Sequence, residues 1–182
     1  MKENFMREKR NLVLYIATSL DGYIATKDDS LEWLFNVEGE GDNGISEFYE
    51  TVDTILLGKR TYDWIMNQEK GEFPYKDKNC YVFTMSSIED TEYVKFINED
   101  VTKFTDKLKS EEGKSIWIVG GGELLHSFMK EKLVDEIIVT IAPTILGKGI
   151  PLFKEEDYQL DLSLKGMRTF NQFVELHYVV KE

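Results

Sequence analysis

The sequence predicts an α/β fold, with a mostly parallel central sheet flanked by helices and closed by antiparallel C-terminal strands. Three observations carry this expectation. Short runs at residues 12–16, 54–57, 80–83, 116–119 and 137–141 are continuously apolar or nearly so, the pattern of strands buried on both faces. Between them, apolar residues recur at helical spacing, so strands alternate with helices as in crossover-connected parallel sheets. After Pro151 the period changes to two, with Leu160, Leu162 and Leu164 on one run and Val174, Leu176, Tyr178 and Val180 on the next.

Residues 1–10 are mostly polar and read as a loose arm, leaving residues 11–182 as a single domain. The first strand, 12–16, leads to the loop Ser19-Leu20-Asp21-Gly22. Trp33, Leu34 and Phe35 precede an acidic, glycine-rich surface stretch over residues 38–42. Ile45, Phe48, Tyr49 and Val52 then mark a helical stripe, and Asp42, three residues before Ile45, is expected to point inward with it. The strand 54–57 ends at Gly58, and Tyr62, Ile65 and Met66 mark the next helix face. The run 80–83 ends in Thr84-Met85-Ser86; Val94 and Phe96 suggest a short strand, and Val101, Phe104 and Leu108 a helix. Strand 116–119 meets Gly120-Gly121-Gly122, a tight turn, before a helix striped by Leu124, Leu125, Phe128 and Met129.

Composition narrows the function. The 182 residues suit one domain able to bury roughly 70% of its unfolded surface without a disulfide or metal. With 34 acidic against 22 basic side chains, the net charge of -12 argues against nucleic acid or anionic membranes as partners. The early apolar stretch 12–17 is too short for a signal segment or a membrane span, so a cytoplasmic protein is expected. Cys80 is the one cysteine and begins a strand as small apolar filler. His126 lies off the helix stripe, and no zinc set or GxSxG elbow is present. His177 and Glu175 fall on the odd-numbered side of the last strand, which reads as solvated.

Three strand ends favour an anion. Gly120, Gly121 and Gly122 let a phosphate approach the amides that open a helix, although the same turn can serve packing alone. Lys59, Arg60 and Thr61 follow Gly58 at a helix start, where cations oppose the helix dipole unless an anion joins them. Thr84, Met85 and Ser86 place hydroxyls at a third strand end. Together they suit an extended ligand with several phosphates, such as a dinucleotide with an extra ribose phosphate.

The segments 17–25 (ATSLDGYIA), 58–62 (GKRTY), Gly120-Gly121-Gly122, 133–136 (LVDE) and 142–147 (APTILG) occur in the order of a known family. Nearly the whole chain resembles the dihydrofolate reductase superfamily, with a closer likeness to the reductase (C-terminal) domain of bifunctional riboflavin-biosynthesis deaminase-reductases. The resemblance implies a dihydrofolate-reductase-like fold with NADPH as hydride donor. It places Gly120, Gly121, Gly122, Glu123 and Leu124 on the pyrophosphate, and Gly58, Lys59, Arg60 and Thr61 on the adenosine-side phosphates. Thr84, Met85 and Ser86 would line the adenosine, while Ala17 and Thr18 meet the nicotinamide amide. It also implies a homodimer and a stand-alone reductase of 5-amino-6-(5-phosphoribosylamino)uracil or a pterin-like substrate. Dihydrofolate reduction and non-catalytic NADP binding are the alternatives.

Two departures bear on chemistry. Gly120 stands where the riboflavin-pathway reductases usually carry an acid. The inward carboxylate of dihydrofolate reductases maps to Glu38 when counted forward from Trp33, and to Asp42 when counted back from Gly58. Asp42, Glu38 and Asp21 are therefore the candidate catalytic acids, with Trp33 against the substrate.

Overall fold

The structure is a computed structural model and describes residues 9–182. Through residue 8 the arm expected over 1–10 lies outside the described residues. The chain runs β1 (Leu12–Ser19), β2 (Tyr23–Ala25), α1 (Glu32–Phe35), α2 (Ile45–Glu50), β3 (Val52–Gly58), α3 (Lys59–Gln68), β4 (Asn79–Phe83) and β5 (Val94–Ile97). It continues through α4 (Val101–Ser110), β6 (Ser115–Gly120), α5 (Gly122–Lys130), β7 (Glu136–Ala142), β8 (Ile150–Pro151), β9 (Leu162–Phe170) and β10 (Phe173–Val180). Eight strands form one sheet in the order β5-β4-β3-β6-β1-β7-β10-β9, and β2 pairs with β8 separately. The strands from β5 to β7 are parallel, whereas β10 is antiparallel to both β7 and β9.

Alternation along the strands divides the core into two layers. Leu12, Leu14, Leu56, Ile116 and Ile118 pack under α4 and α5 with Phe104, Leu108, Leu125 and Phe128. Val13, Ile55, Leu57, Val82 and Trp117 face the other way, towards Phe48 of α2 and Ile65 of α3. Cys80 is buried in this second layer, and burial pushes its thiol up to about 12, so it is inert filler. Among the described residues no helix is long and apolar enough to cross a membrane.

Several local expectations need correction. The period-two run begins at Leu162 rather than Leu160, and Leu164 and Met167 are 62% and 64% exposed, because β9 is the sheet edge. Ile45 is 49% exposed, leaving Phe48 as the buried residue of the six-residue α2. The odd-numbered side of β10 is not solvated: Glu175 is only 4% exposed, and His177 is half-buried.

Arg10 is buried and fastens three strand beginnings. Its Nε donates to the Lys114 carbonyl at 2.7 Å, and its guanidinium donates to Thr54 Oγ1 at 2.7 Å and pairs with Asp53. Asp53 also accepts the Lys114 amide at 2.8 Å. Truncating one member leaves the others short of partners in a largely dry place. Arg10→Ala is expected to lower unfolding stability by about 2–3 kcal/mol, discounted for the partial exposure of Asp53, as read from a urea midpoint shift at unchanged slope.

Candidate cofactor and substrate site

The sheet opens at its C-terminal rim. β1 pairs with β6 only from Leu12 to Leu14, although it pairs with β7 all the way to Ser19. Beyond Leu14 the two strands part, at the point where the chain order reverses on either side of β1. Such a switch point leaves a crevice into which neither strand sends hydrogen bonds. Ala17 and Thr18 stand on one side of it and Gly120 on the other.

On the Gly120 side the strand ends are level, with Gly58 paired to Phe83 and Leu57 to Gly120. β3 and β6 both pass into helices almost without a loop, so the beginnings of α3 and α5 emerge side by side. Gly120 and Gly121 have φ of 143° and 104°, conformations that favour glycine. A Cβ on Gly121 would lie 3.3 Å from both the Gly58 Cα and Thr61 Oγ1. Among the described residues no side chain caps either helix, whereas Asp100 caps α4 by accepting the Lys103 amide at 3.0 Å. Two uncapped N-termini of ten and nine residues in contact make a concentration of free N–H groups and positive dipole ends.

The flanking charges are already partnered. Lys59 Nζ donates to both oxygens of Asp63 at 2.6 Å, and Arg60 donates to Asp29 at 2.7 and 3.2 Å. Exposed pairs of this kind are worth about 0–1 kcal/mol, little enough for an incoming phosphate to displace them. Glu123 pairs with Lys154, which holds its carboxyl below the usual range. Thr84 Oγ1 accepts the Ser86 amide at 3.1 Å, and Met85 is 93% exposed beside them. The structure thus gathers the predicted segments at 58–61, 84–86 and 120–124 along one rim, facing Ala17 and Thr18 across the opening.

The candidate acids are not gathered in the same way. Asp21 Oδ1 accepts the Ser19 hydroxyl at 2.7 Å and the Leu146 amide at 3.1 Å, while Oδ2 accepts the Gly147 amide at 2.7 Å. These bonds clasp the 19–22 loop to the 144–147 segment and hold the Asp21 carboxyl below its ordinary value. Asp42 is exposed rather than inward. Gly44, in the left-handed conformation at φ 78°, breaks the helical phase before α2, and Asp42 accepts the Gly44 amide at 3.1 Å and the Ser46 amide at 2.9 Å. The Ser46 hydroxyl and amide lower its pKa as well. A carboxylate held ionised in this way is a poor proton donor near neutral pH. Glu38 is exposed, and the Trp33 indole N–H donates to the Ser30 carbonyl at 3.3 Å.

The sequence reading missed a groove of about 510 Å³ on the α2 side of the sheet, lined by Tyr15, Glu47, Glu136, Arg168, Glu175 and His177 among others. Tyr15 stacks on Phe48 with ring centroids 3.9 Å apart. Burial, and after it the Glu175 carboxylate, pushes the Tyr15 hydroxyl up to about 12, so it stays protonated. Arg168 donates from Nε to Glu175 at 2.9 Å and from NH1 to Glu47 at 2.9 Å, tying β9, β10 and α2 together. Only the strand register reveals this grouping.

The Asp21 clasp carries a pH signature. A carboxyl with a depressed folded pKa stabilises the fold above its unfolded pKa, and that contribution is lost as pH falls through the folded value. In an NMR titration the Leu146 and Gly147 amides should therefore move together at a midpoint below the ordinary aspartate value of 3.8. The transition should vanish in Asp21→Asn.

Comparison with known proteins identifies the family of the chain. Residues 10–176 match the family described as the RibD C-terminal domain. The YwjB protein of Bacillus subtilis (strain 168) is 54% identical over 173 residues, covering 94% of this chain and 98% of its own. A protein from Shewanella sp. PV-4 described as a riboflavin biosynthesis protein superposes with a TM-score of 0.86 at 28% identity, over 94% of this chain and 99% of its own. Dihydrofolate reductase from Enterococcus faecalis, solved with NADP(H), shares the fold at a TM-score of 0.63 and 16% identity, over 94% and 97% of the two chains. With the level strand ends, the glycine turn and the split beside β1 in place, this chain belongs to the RibD C-terminal domain family.

Proposed function

We propose that the protein is a cytoplasmic NADPH-dependent reductase that reduces a pyrimidine-ribosylamine of the 5-amino-6-(5-phosphoribosylamino)uracil type. The observation that supports this most is the contact between the uncapped starts of α3 and α5 beside the opening next to β1. A Cβ on Gly121 would crowd the Gly58 backbone and the Thr61 hydroxyl, so glycine there lets the two helix starts lie close enough to share a pyrophosphate. The amides of Gly122, Glu123 and Leu124 hold the pyrophosphate. Lys59, Arg60 and Thr61 take the adenosine-side phosphates, and residues 84–86 border the adenosine. When bound, NADPH supplies the hydride. The backbone of Ala17 and Thr18 orients the nicotinamide edge, and the Asp21 clasp keeps the 19–22 loop against it. With Asp21 and Asp42 both held ionised, water in the cleft delivers the accompanying proton.

A homodimer fits the same reading, because Leu164 and Met167 leave an apolar patch on the edge strand β9. Size-exclusion with light scattering should return twice the chain mass, and Leu164→Lys should return a single chain.

Loss of the reduced-nicotinamide absorbance on adding the ribosylaminopyrimidine tests the reaction. NADPH binding without consumption across pyrimidines and pterins would instead favour a non-catalytic binding protein, and turnover of dihydrofolate alone would favour a folate reductase. The partnered cations give a sharper expectation. Lys59→Ala or Arg60→Ala should weaken NADPH binding about 3- to 10-fold, whereas Asp63→Asn or Asp29→Asn, which free the cations, should strengthen it in isothermal titration.

A further inference from the structure

The groove beside α2 holds a carboxylate that the cofactor reading does not use. In β-sheet register Ala17 pairs with Thr140, Thr140 with Glu175, and Glu175 with Arg168, so these four form one row across β1, β7, β10 and β9. Tyr15, Ile138 and His177 form the next row on the same face. Glu175 is thus two strands from Ala17, about 10 Å at ordinary strand spacing.

The two oxygens of Glu175 are unlike. Oε1 accepts Arg168 Nε at 2.9 Å, whereas Oε2 is buried without a hydrogen-bond partner among the described residues. Leaving a carboxylate oxygen dry and unpaired is costly, so the position calls for a donor. The basic side chains around it are directed elsewhere. Arg168 NH1 serves Glu47, while Lys165 and the His177 ring both lie against Glu136, at 3.3 and 2.5 Å. No described residue donates to Oε2, and a ligand entering the groove can. An anion does not suit the place, because Glu47 and Glu175 already share the one guanidinium. An uncharged ring carrying N–H groups does, since it offers a donor to Oε2 without adding negative charge.

We infer that Glu175 is the residue that recognises the substrate ring, accepting a ring N–H through Oε2 in the groove beside Tyr15. The inference deepens the proposed function by naming a recognition residue on β10, and its substrate role rests on that reading. Recognition of the N–H group itself does not depend on the cofactor.

The test uses the full chain without NADPH and two probes, 5,6-diaminouracil and its 1,3-dimethyl analogue, which lacks the ring N–H groups. The first should bind saturably and shift the Tyr15 and Phe48 ring signals in NMR, and the dimethyl probe should bind about tenfold more weakly or worse. Glu175→Gln, which turns the acceptor into a donor, should cost the first probe a similar factor and leave NADPH affinity unchanged. Equal binding of the two probes, or no binding of the first, overturns the inference; a water satisfying Oε2 would give that result. If Glu175→Gln does not fold because Arg168 loses its partner, the ratio of the two probes on the unaltered protein still decides. Failure of that protein to bind NADPH would overturn the cofactor reading instead, and the probe ratio would stand.

Discussion

The backbone contact between Gly121 and Gly58 is the constraint on which the site depends. β3 and β6 are neighbours with level ends, and each runs into its helix almost directly. Helices that begin side by side from adjacent strands must bring their first turns together. Only a residue without a Cβ allows that approach at Gly121. The cost is electrostatic, because two positive dipole ends and the Lys59-Arg60 pair are brought close, with Asp63 and Asp29 as local compensation. An anionic ligand offsets the same charge better, since it meets the uncapped amides that those aspartates do not reach. A net charge of -12 is compatible with such a ligand because charges farther than about 8 Å away are screened at physiological salt.

The separation of β1 from β6 gives that anion site a direction. Had the two strands stayed paired to their ends, no crevice would lie between Ala17 and Gly120. Their divergence after Leu14, together with the clasp of Asp21 on Leu146 and Gly147, leaves a bounded opening whose β1 wall continues into the row of Ala17, Thr140, Glu175 and Arg168. The ion network of Arg168, Glu175 and Glu47 fixes α2 over the far end of that row.

Much of this was legible in the sequence. Strands buried on both faces must be apolar throughout, so residues 12–16 and 116–119 declare themselves, and three consecutive glycines at a strand end leave few uses. What could not be read depended on register or on backbone handedness. Glu175 and His177 alternate with apolar neighbours and look solvated, yet Arg168 from β9 and Glu47 from α2 close over that side. Asp42 sits at the correct helical phase for an inward carboxylate, but the left-handed Gly44 resets the phase and turns Asp42 into a local acceptor for the Gly44 and Ser46 amides. Leu164 alternates as a core residue would, and only its place on the sheet edge leaves it exposed.

The central claim is that the paired starts of α3 and α5 hold the pyrophosphate of NADPH. An amide-resolved NMR titration of the isotopically labelled protein with NADPH tests it most directly. The account predicts saturable shifts at the amides of Gly121 to Leu124 and of Lys59 to Thr61 with one shared dissociation constant. Saturable shifts confined to other parts of the chain, or none at either helix start, would contradict it.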